Sequence, residues 1–353
     1  MTVMHAIVPP YLLARLAASP QARYARAAEA ARTTLAVPRR YRPARAVLDL
    51  SVEGGALVVT ASPAPDRVIS DAQHREVLPG VRVRGEDDPP TGDAAVDEAF
   101  DGLGATFAFF WEAFARSSID GVGGTLPATV HYGVDYDNAF WDGRRMVFGD
   151  GDGEVFTGFT HSVTVIAHEL AHGVIEHAGG LVYRGQSGAL NESLADVFGA
   201  LTEQHRLGQR ADEASWLIGA EIFTEAVQGE ALRSLSAPGT AYDDDVLGRD
   251  PQPAHLRDYV DTTADNGGVH INSGIPNKAF HLAATALGGY AWERAGRIWY
   301  LALTGGRLTP TADFTAFAAA TLGVAAQEYG ADAEEVGAVR DAWIGVGVID
   351  DAG

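Results

Sequence analysis

The sequence of 353 residues contains no cysteine. Disulfide bonds and thiolate metal ligands are therefore excluded, although a chain without thiols is compatible with either redox environment. Long apolar runs are also missing: no stretch reaches the roughly 18 residues that a membrane span needs. Pro9, Pro10 and Arg15 interrupt the region where a signal peptide has its apolar core. We therefore expect a soluble protein that is cytoplasmic, or secreted by a route without a conventional signal peptide.

Basic side chains are in the minority, with 26 Lys and Arg against 47 Asp and Glu, and the net charge is −21. Such a charge repels phosphate backbones and anionic lipids, so the sequence predicts neither nucleic acid nor a membrane as partner. The length and a hydrophobic content of 46% suffice for a large core, and favour two lobes around a cleft.

The few basic residues are concentrated at the N-terminus. Residues 1–45 carry eight arginines and a single acid, Glu29, which gives +7 and leaves −28 on the other residues. This asymmetry suggests that residues 1–45 are a ligand of the remainder. Within them we predict a helix over 21–34 and an exposed linker over 38–43. A disordered basic tail and a transit-type peptide are the alternatives.

Two patterns follow this segment. Residues 46–160 alternate like strands, for example at 47–52, 56–60 and 129–133, with one helix over 93–116 that has an aromatic core face. Residues 161–353 are mostly helical by periodicity, including 191–204, 278–287, 290–304, 312–322 and 331–346. The acidic, glycine-rich stretch 149–153 looks like a calcium loop but lacks the distal acids of an EF-hand, so we predict a hairpin turn.

An H-E-x-x-H motif from His168 to His172 lies in an apolar-periodic run over 162–177. Positions four apart share one helical face, so His168 and His172 can bind one tetrahedral metal ion, while Glu169 can reach a water beside it. Glu192, twenty positions after His172, is a third candidate ligand, and Asp196 follows it by one helical turn. Three protein ligands and one open position are typical of catalytic zinc, and two buried histidines without metal are the alternative.

Three motifs in sequence order resemble those of the thermolysin-like (M4) metallopeptidases: H-E-x-x-H, N-E-x-x-x-D over 191–196, and D-N-G-G-V-H-I-N-S-G over 265–274. The resemblance extends from about residue 71 to the C-terminus. Residues 7–13, I-V-P-P-Y-L-L, are similar to the P-P-x-x-L leader of protealysin-type precursors. The resemblance implies an α+β fold with a β-rich N-terminal lobe (46–160), a helical C-terminal lobe (161–353) and zinc in the cleft between them.

The resemblance also implies an activity, that of a zinc-dependent neutral endopeptidase. Such an enzyme hydrolyses peptide bonds on the amino side of hydrophobic residues in peptide or protein substrates. Residues 1–45 would then be a short propeptide that acts as an intramolecular inhibitor and is removed by cleavage within 37–45. The family pattern leaves room for a proteinaceous inhibitor as a further partner.

The residue roles that the resemblance implies fall into four groups. One catalytic Zn²⁺ is bound by His168, His172 and Glu192, with Asp196 behind His168 as its hydrogen-bond partner. Catalysis depends on the general base Glu169, on the oxyanion donors Tyr183 and His270, and on Asp265, which orients His270. The substrate backbone is held by Asn138, Ala139 and Arg233. The apolar pocket for the residue after the cleaved bond is lined by Phe156, Phe159, Val165 and Leu232.

The chain departs from the family pattern at the paired calcium site. The matching positions hold Thr164, Ser215, Leu217 and Ala220, and only Glu203 remains acidic. One carboxylate cannot neutralise two divalent cations, so we expect the double calcium site to be absent.

Two other kinds of protein are alternatives to an endopeptidase. A non-catalytic zinc-binding or peptide-binding module could keep the fold and lose the chemistry, but Glu169, Tyr183 and His270 are all present. An aminopeptidase can also use H-E-x-x-H, but this chain lacks the G-x-M-E-N-type segment that captures a free amine.

Overall fold

The computed structural model describes residues 5–37, 51–53, 56–58 and 64–350. The chain divides into two compact units, one of residues 1–177 and 221–227, the other of residues 178–220 and 228–353. The helix that carries the H-E-x-x-H motif therefore groups with the first unit. The predicted division at 45 and 160 remains a prediction, and the predicted linker 38–43 lies outside the described residues.

A mixed sheet forms the centre of the first unit. Its strands are β1 (His5–Ala6), β4 (Arg67–Asp71), β5 (Val81–Gly85), β6 (Leu126–Val130), β7 (Ala139–Trp141) and β8 (Met146–Phe148), in the spatial order β1-β7-β8-β6-β4-β5. Strands β4, β6 and β8 are parallel, whereas β1, β7 and β5 pair antiparallel with their neighbours. A separate ribbon pairs β2 (Ser51–Glu53) with β3 (Ala56–Val58).

Four helices of the first unit are described: α1 (Pro10–Ala17), α2 (Ala25–Ala36), α3 (Ala94–Phe114) and α4 (Val163–Ala178). Helix α3 confirms the helix predicted over 93–116. Asp93 caps it by accepting a hydrogen bond from the backbone N–H of Val96 at 3.2 Å. Gly102 lets α3 approach α4 closely, because a Cβ atom at Gly102 would lie 2.4 Å from Cδ1 of Ile166.

The N-terminal segment folds differently from our expectation at one point. The Pro9-Pro10 pair predicts an extended entry that cannot coil into a helix, but α1 begins at Pro10 and Pro9 is its N-cap, with φ −62° and ψ 144°. A proline is well placed in the first turn of a helix, because its missing N–H has no partner there. Helix α2 confirms the helix predicted over 21–34, although it begins four residues later.

The second unit is helical. It contains α5 (Gly185–Leu207), α6 (Asp265–Asn272), α7 (Gly274–Leu287), α8 (Arg297–Thr304), α9 (Phe314–Tyr329) and α10 (Glu334–Gly345), with the short strands β9 (Leu217–Ile218), β10 (Arg233–Ser234), β11 (Asp243–Asp244) and β12 (Gly248–Arg249). The stacked indoles of Trp299 and Trp343, 5.9 Å apart, lie in its core.

These elements confirm the α+β fold and the helices predicted in the C-terminal part of the chain. Helix α5 begins six residues before the predicted start at 191. The helix predicted over 290–304 is instead a π-helical turn, Trp292–Gly296, followed by α8. Among the residues that the structure describes, no helix combines the length and apolar character needed to cross a bilayer.

Candidate active site

One face of helix α4 carries the two histidines of the H-E-x-x-H motif. The Nε2 atoms of His168 and His172 lie 3.0 Å apart, and both side chains are buried. Ligand atoms about 3.3 Å apart are expected around a tetrahedral ion with zinc–nitrogen bonds of about 2.0 Å. The donor set therefore fits a zinc ion with a small relaxation of the two rings. Glu169 is equally buried and lies about 100° round the helix from His168.

Helix α4 is held close to the sheet at the level of this face. A Cβ atom at Gly173 would lie 3.2 Å from both Ile119 and the indole of Trp141, so glycine permits a close approach to β7. Trp141 also donates a hydrogen bond from Nε1 to Oε2 of Glu176 at 3.0 Å. The histidines are thus on a helix that is fixed against β7, the strand that contains Ala139.

The N-terminal segment pairs with β7 as an additional antiparallel strand. His5 lies opposite Trp141 and Ala6 opposite Phe140. Beyond β1, the Ile7 N–H donates to the carbonyl of Ala139 at 3.1 Å. The Asn138 amide continues the pairing, since it accepts from the Val8 N–H at 2.9 Å and donates to the Val8 carbonyl at 3.1 Å.

This pairing places a leader side chain on the metal-binding face of α4. The imidazole of His5 lies against that of His172, with ring centroids 4.2 Å apart and planes tilted by 34°. His5, Ile7 and Val8 are buried. A peptide backbone held by Asn138 and Ala139 therefore passes beside His172.

Helix α2 anchors the leader further along the chain. The N–H of Ala27 donates to Glu154 at 3.0 Å, and the N–H of Asp137 donates to Oγ1 of Thr34 at 3.0 Å. Arg26 forms a bidentate salt bridge with Asp135, at 2.7 and 3.0 Å. These contacts confirm that the basic N-terminal segment docks on acidic residues of the same unit.

The second unit contains a compact cluster of titratable side chains. The hydroxyl of Tyr183 donates to Oε1 of Glu192 and lies 3.2 Å from Nε2 of His270. The same His270 nitrogen is 3.5 Å from Oε2 of Glu192, and its Nδ1 is 2.6 Å from Asp265. Burial opposes a positive charge on His270, but the carboxylates of Asp265 and Glu192 outweigh it and raise the pKa of His270 to about 9.

The N-G-G sequence before His270 has a structural role. Asn266, Gly267 and Gly268 all have positive φ, between 53° and 89°, so the backbone turns sharply after Asp265. This turn folds the Asp265 carboxylate back onto His270, where it accepts both the backbone N–H, at 2.9 Å, and the ring N–H. The N-G-G sequence therefore lets Asp265 fix the orientation of the His270 imidazole.

Asp196, one turn after Glu192 on α5, belongs to a second buried group. It accepts two hydrogen bonds from Arg233, both at 2.8 Å, and one from Asn277 at 2.9 Å. Both charged side chains are almost fully buried. A bidentate pair of this kind fixes the orientation of Arg233, one of the residues predicted to hold substrate.

Three contacts in these groups were not predicted from the sequence. His5 precedes the leader motif by two residues and carries no signal of its own. Gln252 donates to the carbonyl of His270 at 2.8 Å, and Asn277 donates to Asp196, but each is a single polar residue in a region without a motif. Only the fold reveals their positions.

Ser215 and Thr164, two of the positions that match the family's paired calcium site, form hydrogen bonds with other side chains. Ser215 donates to Glu203 at 3.3 Å, and the hydroxyls of Ser162 and Thr164 are 2.9 Å apart. The absence of the double calcium site remains a prediction.

Comparisons with known proteins place this chain among metallopeptidases. The model of the thermolysin metallopeptidase catalytic domain matches residues 70–176, and that of the thermolysin metallopeptidase alpha-helical domain matches residues 179–348. An extracellular metalloprotease of Pectobacterium carotovorum subsp. carotovorum is 54% identical over 80% of this chain and 81% of that relative. Protease PrtS of a Photorhabdus species is 52% identical over 80% of this chain and 78% of the relative.

A solved structure extends the similarity to the leader. The precursor of protealysin, a metalloproteinase from Serratia proteamaculans, is 48% identical and superimposes with a TM-score of 0.88 over 98% of this chain and all of that chain. The similarity includes the N-terminal segment as well as the two units.

These relatives correct our expectation of location. We expected a cytoplasmic enzyme, or export without a conventional signal peptide, but the similar proteins include an extracellular metalloprotease, which points to secretion. The prediction of a cytoplasmic location was wrong because it depended on the interrupted apolar run at the N-terminus, a feature that does not exclude export by another route.

The two family models together cover most of the chain, and the relatives match it at more than half identity. The similarity to a protealysin precursor accounts for the docked leader. The chain therefore belongs to the thermolysin (M4) family of zinc metallopeptidases, is of the protealysin type, and is an endopeptidase made as a precursor.

Proposed function

We propose that a single catalytic zinc ion is held by His168, His172 and Glu192. The 3.0 Å separation of the two histidine Nε2 atoms on one face of α4 supports the first two ligands. For Glu192, support comes from its buried carboxylate on α5, which Tyr183 and His270 approach from within the second unit. Family membership implies the zinc itself.

Each catalytic residue then has one task. The bound zinc supplies a Lewis acid that polarises the scissile carbonyl and lowers the pKa of water. Glu169 takes the proton of the attacking water and passes it to the leaving amine. Tyr183 and His270 donate hydrogen bonds to the oxyanion that forms on the carbonyl, and Asp265 keeps His270 charged and oriented.

The substrate backbone binds as a strand on β7, and this proposal rests chiefly on the docked leader. Asn138 and Ala139 form three hydrogen bonds with the backbone of Ile7 and Val8. An extended substrate backbone can form the same three bonds. The leader thus occupies the position that we assign to a substrate.

Selectivity for a hydrophobic residue after the cleaved bond comes from an apolar pocket. Phe156, Phe159 and Val165 are fully buried in the first unit, and the rings of the two phenylalanines are 5.7 Å apart. We assign these three side chains to that pocket. Its lining excludes charged side chains, because burying an unpaired charge is costly.

Substitution of Glu169 tests the catalytic assignment. Glu169→Gln keeps both histidines, so the protein should retain about one zinc ion and lose hydrolysis of an unstructured protein substrate. His172→Ala should lose the zinc as well. A chelator should inhibit the wild type, and zinc should restore it.

The same assay distinguishes an endopeptidase from a non-catalytic binding module. Substantial turnover by Glu169→Gln would refute the general-base assignment. A wild-type chain without its leader that binds zinc and peptides but hydrolyses none would support a non-catalytic binding module.

A further inference from the structure

A group of metal-ligating side chains lies in the first unit, outside the H-E-x-x-H motif. Nδ1 of His131 is 2.9 Å from Asp150, and Nδ1 of His74 is 3.3 Å from the same carboxylate. The three potential ligand atoms all lie within 4.8 Å of one another. We propose that His74, His131 and Asp150 form a second metal site, specific for a divalent ion of the zinc class, with one coordination position open to solvent.

The distances fit such an ion. Bonds of about 2.0–2.2 Å to nitrogen and oxygen in a tetrahedron give ligand-to-ligand separations of about 3.3 Å. The His74–Asp150 separation equals this value, and the His131–Asp150 separation needs only a few tenths of an ångström of expansion. Two imidazoles with one carboxylate favour zinc, nickel or copper over calcium or magnesium, which prefer all-oxygen sets.

A second carboxylate supports His131 from behind. The other ring nitrogen of His131, Nε2, lies 3.1 Å from Asp93, the residue that caps α3. A ligand histidine usually donates its second N–H to a carboxylate, which fixes the tautomer and raises the basicity of the ligand nitrogen. In this arrangement His131 presents Nδ1 to the metal and Nε2–H to Asp93.

The backbone holds the two histidines together before any metal binds. The N–H of His74 donates to the carbonyl of His131 at 2.9 Å, so the turns that carry them are joined. Both residues have positive φ, 55° and 53°, an uncommon conformation for a residue with a side chain. Strained conformations of this kind cluster at functional sites.

Asp150 is fixed by the glycines on either side of it. A Cβ atom at Gly149 would lie 2.0 Å from the carbonyl of Tyr136, and one at Gly151 would lie 2.4 Å from that of Phe156. Only glycine fits at these positions, and the turn aims Asp150 at the histidines. The hairpin turn predicted over 149–153 is wrong, because β8 pairs with β6 and β7 and, among the described strands, with none that follows it. This acidic, glycine-rich stretch instead supplies one ligand of the proposed site.

Exposure explains how the metal would enter and exchange. His74 is 61% exposed and Asp150 33% exposed, whereas His131 is 18% exposed. Three ligands at the surface predict weaker binding than in a four-ligand structural site. The bound ion would connect the chain after β4, which carries His74, the chain after β6, which carries His131, and the turn after β8, which carries Asp150.

Metal counting on the full-length protein tests the proposal. Wild type, His74→Asn, Asp150→Asn and His161→Asn are dialysed against the same buffered free zinc, and bound zinc is measured by mass spectrometry. His161 is the control, because it is 44% exposed and lies 3.7 Å from a single carboxylate, that of Glu98. Wild type and His161→Asn should bind one zinc ion more per chain than His74→Asn and Asp150→Asn.

The remaining outcomes count against the site. Equal zinc in wild type and His74→Asn would mean that the cluster is a salt-bridged group only. Equal loss in His161→Asn would mean non-specific binding by surface histidines. Thermal unfolding provides a second readout: zinc should raise the Tm of wild type by more than that of His74→Asn, because both proteins keep the site of the H-E-x-x-H motif and only wild type keeps the second site. Calcium should not reproduce this difference between the two proteins. Because these measurements need no turnover, they hold whatever the outcome for Glu169.

Discussion

Asp265 binds His270 twice, through the ring Nδ1 at 2.6 Å and through the backbone N–H at 2.9 Å. These two contacts orient the imidazole, and the Asp265 carboxylate favours its charged form. His270→Ala should lower kcat by about 10²-fold with a small change in KM, because the lost hydrogen bond is made mainly in the transition state. Steady-state kinetics on a fluorogenic peptide, with bound zinc measured in parallel, checks this.

Asp265→Asn tests the role of Asp265 in orienting and charging His270. It keeps the size of the side chain and one acceptor oxygen, but removes the charge that favours the imidazolium. We expect a smaller loss of kcat than for His270→Ala, with full zinc content. A larger effect of Asp265→Asn on KM than on kcat would contradict the orienting role.

The leader should keep the enzyme latent. Full-length protein should have at most a small fraction of the activity of protein that lacks residues 1–45, because the leader occupies Asn138 and Ala139 and is tethered at an effective concentration of about millimolar. Ile7→Ala/Val8→Ala should raise the activity of the full-length protein, since both side chains are completely buried.

Arg26→Ala is the control for the leader test. The Arg26 side chain is 57% exposed in its salt bridge to Asp135, and exposed pairs of this kind contribute little to stability. Latency should persist in this variant and at high salt. Equal activity of full-length, truncated and doubly substituted proteins, without self-processing on storage, would leave the leader as a targeting or folding element.

A buried acid should make stability depend on pH. Burial, followed by the nearby Asp152 carboxylate, raises the pKa of Asp137 to about 10, whereas an unfolded Asp titrates near 3.9. Between about pH 4 and pH 10 the folded protein holds a proton that the unfolded chain has lost, so this group destabilises the fold increasingly as pH rises.

Asp137→Asn should therefore stabilise the protein on the alkaline side. Its Tm should exceed that of wild type by about 2 °C or more at pH 8, and the two should converge near pH 4. The comparison is made in the Glu169→Gln background, which limits self-cleavage. Asp135→Asn is the control, because Arg26 lowers the pKa of Asp135. A Tm difference that does not depend on pH would contradict the raised pKa of Asp137.

Calcium should have little effect on stability. The positions of the family's paired site hold Thr164, Ser215, Leu217 and Ala220, and Glu203 alone is acidic. Thermal unfolding in millimolar calcium and in a calcium-selective chelator should give similar Tm values. A large rise with calcium would show that other carboxylates form a site.

Site residues could be predicted from the sequence where their function requires a fixed spacing or a particular local backbone. His168 and His172 are one helical turn apart, and the N-G-G before His270 reports a backbone that only small residues adopt easily. The conformation at Pro9-Pro10 was mispredicted because two consecutive prolines favour an extended backbone. Pro10 instead fits the first turn of α1. Gln252 and Asn277 could not be found from the sequence, because both act through long-range hydrogen bonds. Gln252 donates to residues 18 and 21 positions away, and Asn277 donates to a residue 81 positions away.

The strand order has a consequence for the mature enzyme. Strand β1 is the outermost strand next to β7, so release of the leader turns β7 from an inner strand into a free margin of the sheet. A peptide that docks there completes the sheet again, and its cleavage reopens it. A bound substrate would thus take the place beside β7 that the leader holds in the precursor, and the excised leader should compete with substrates for that strand.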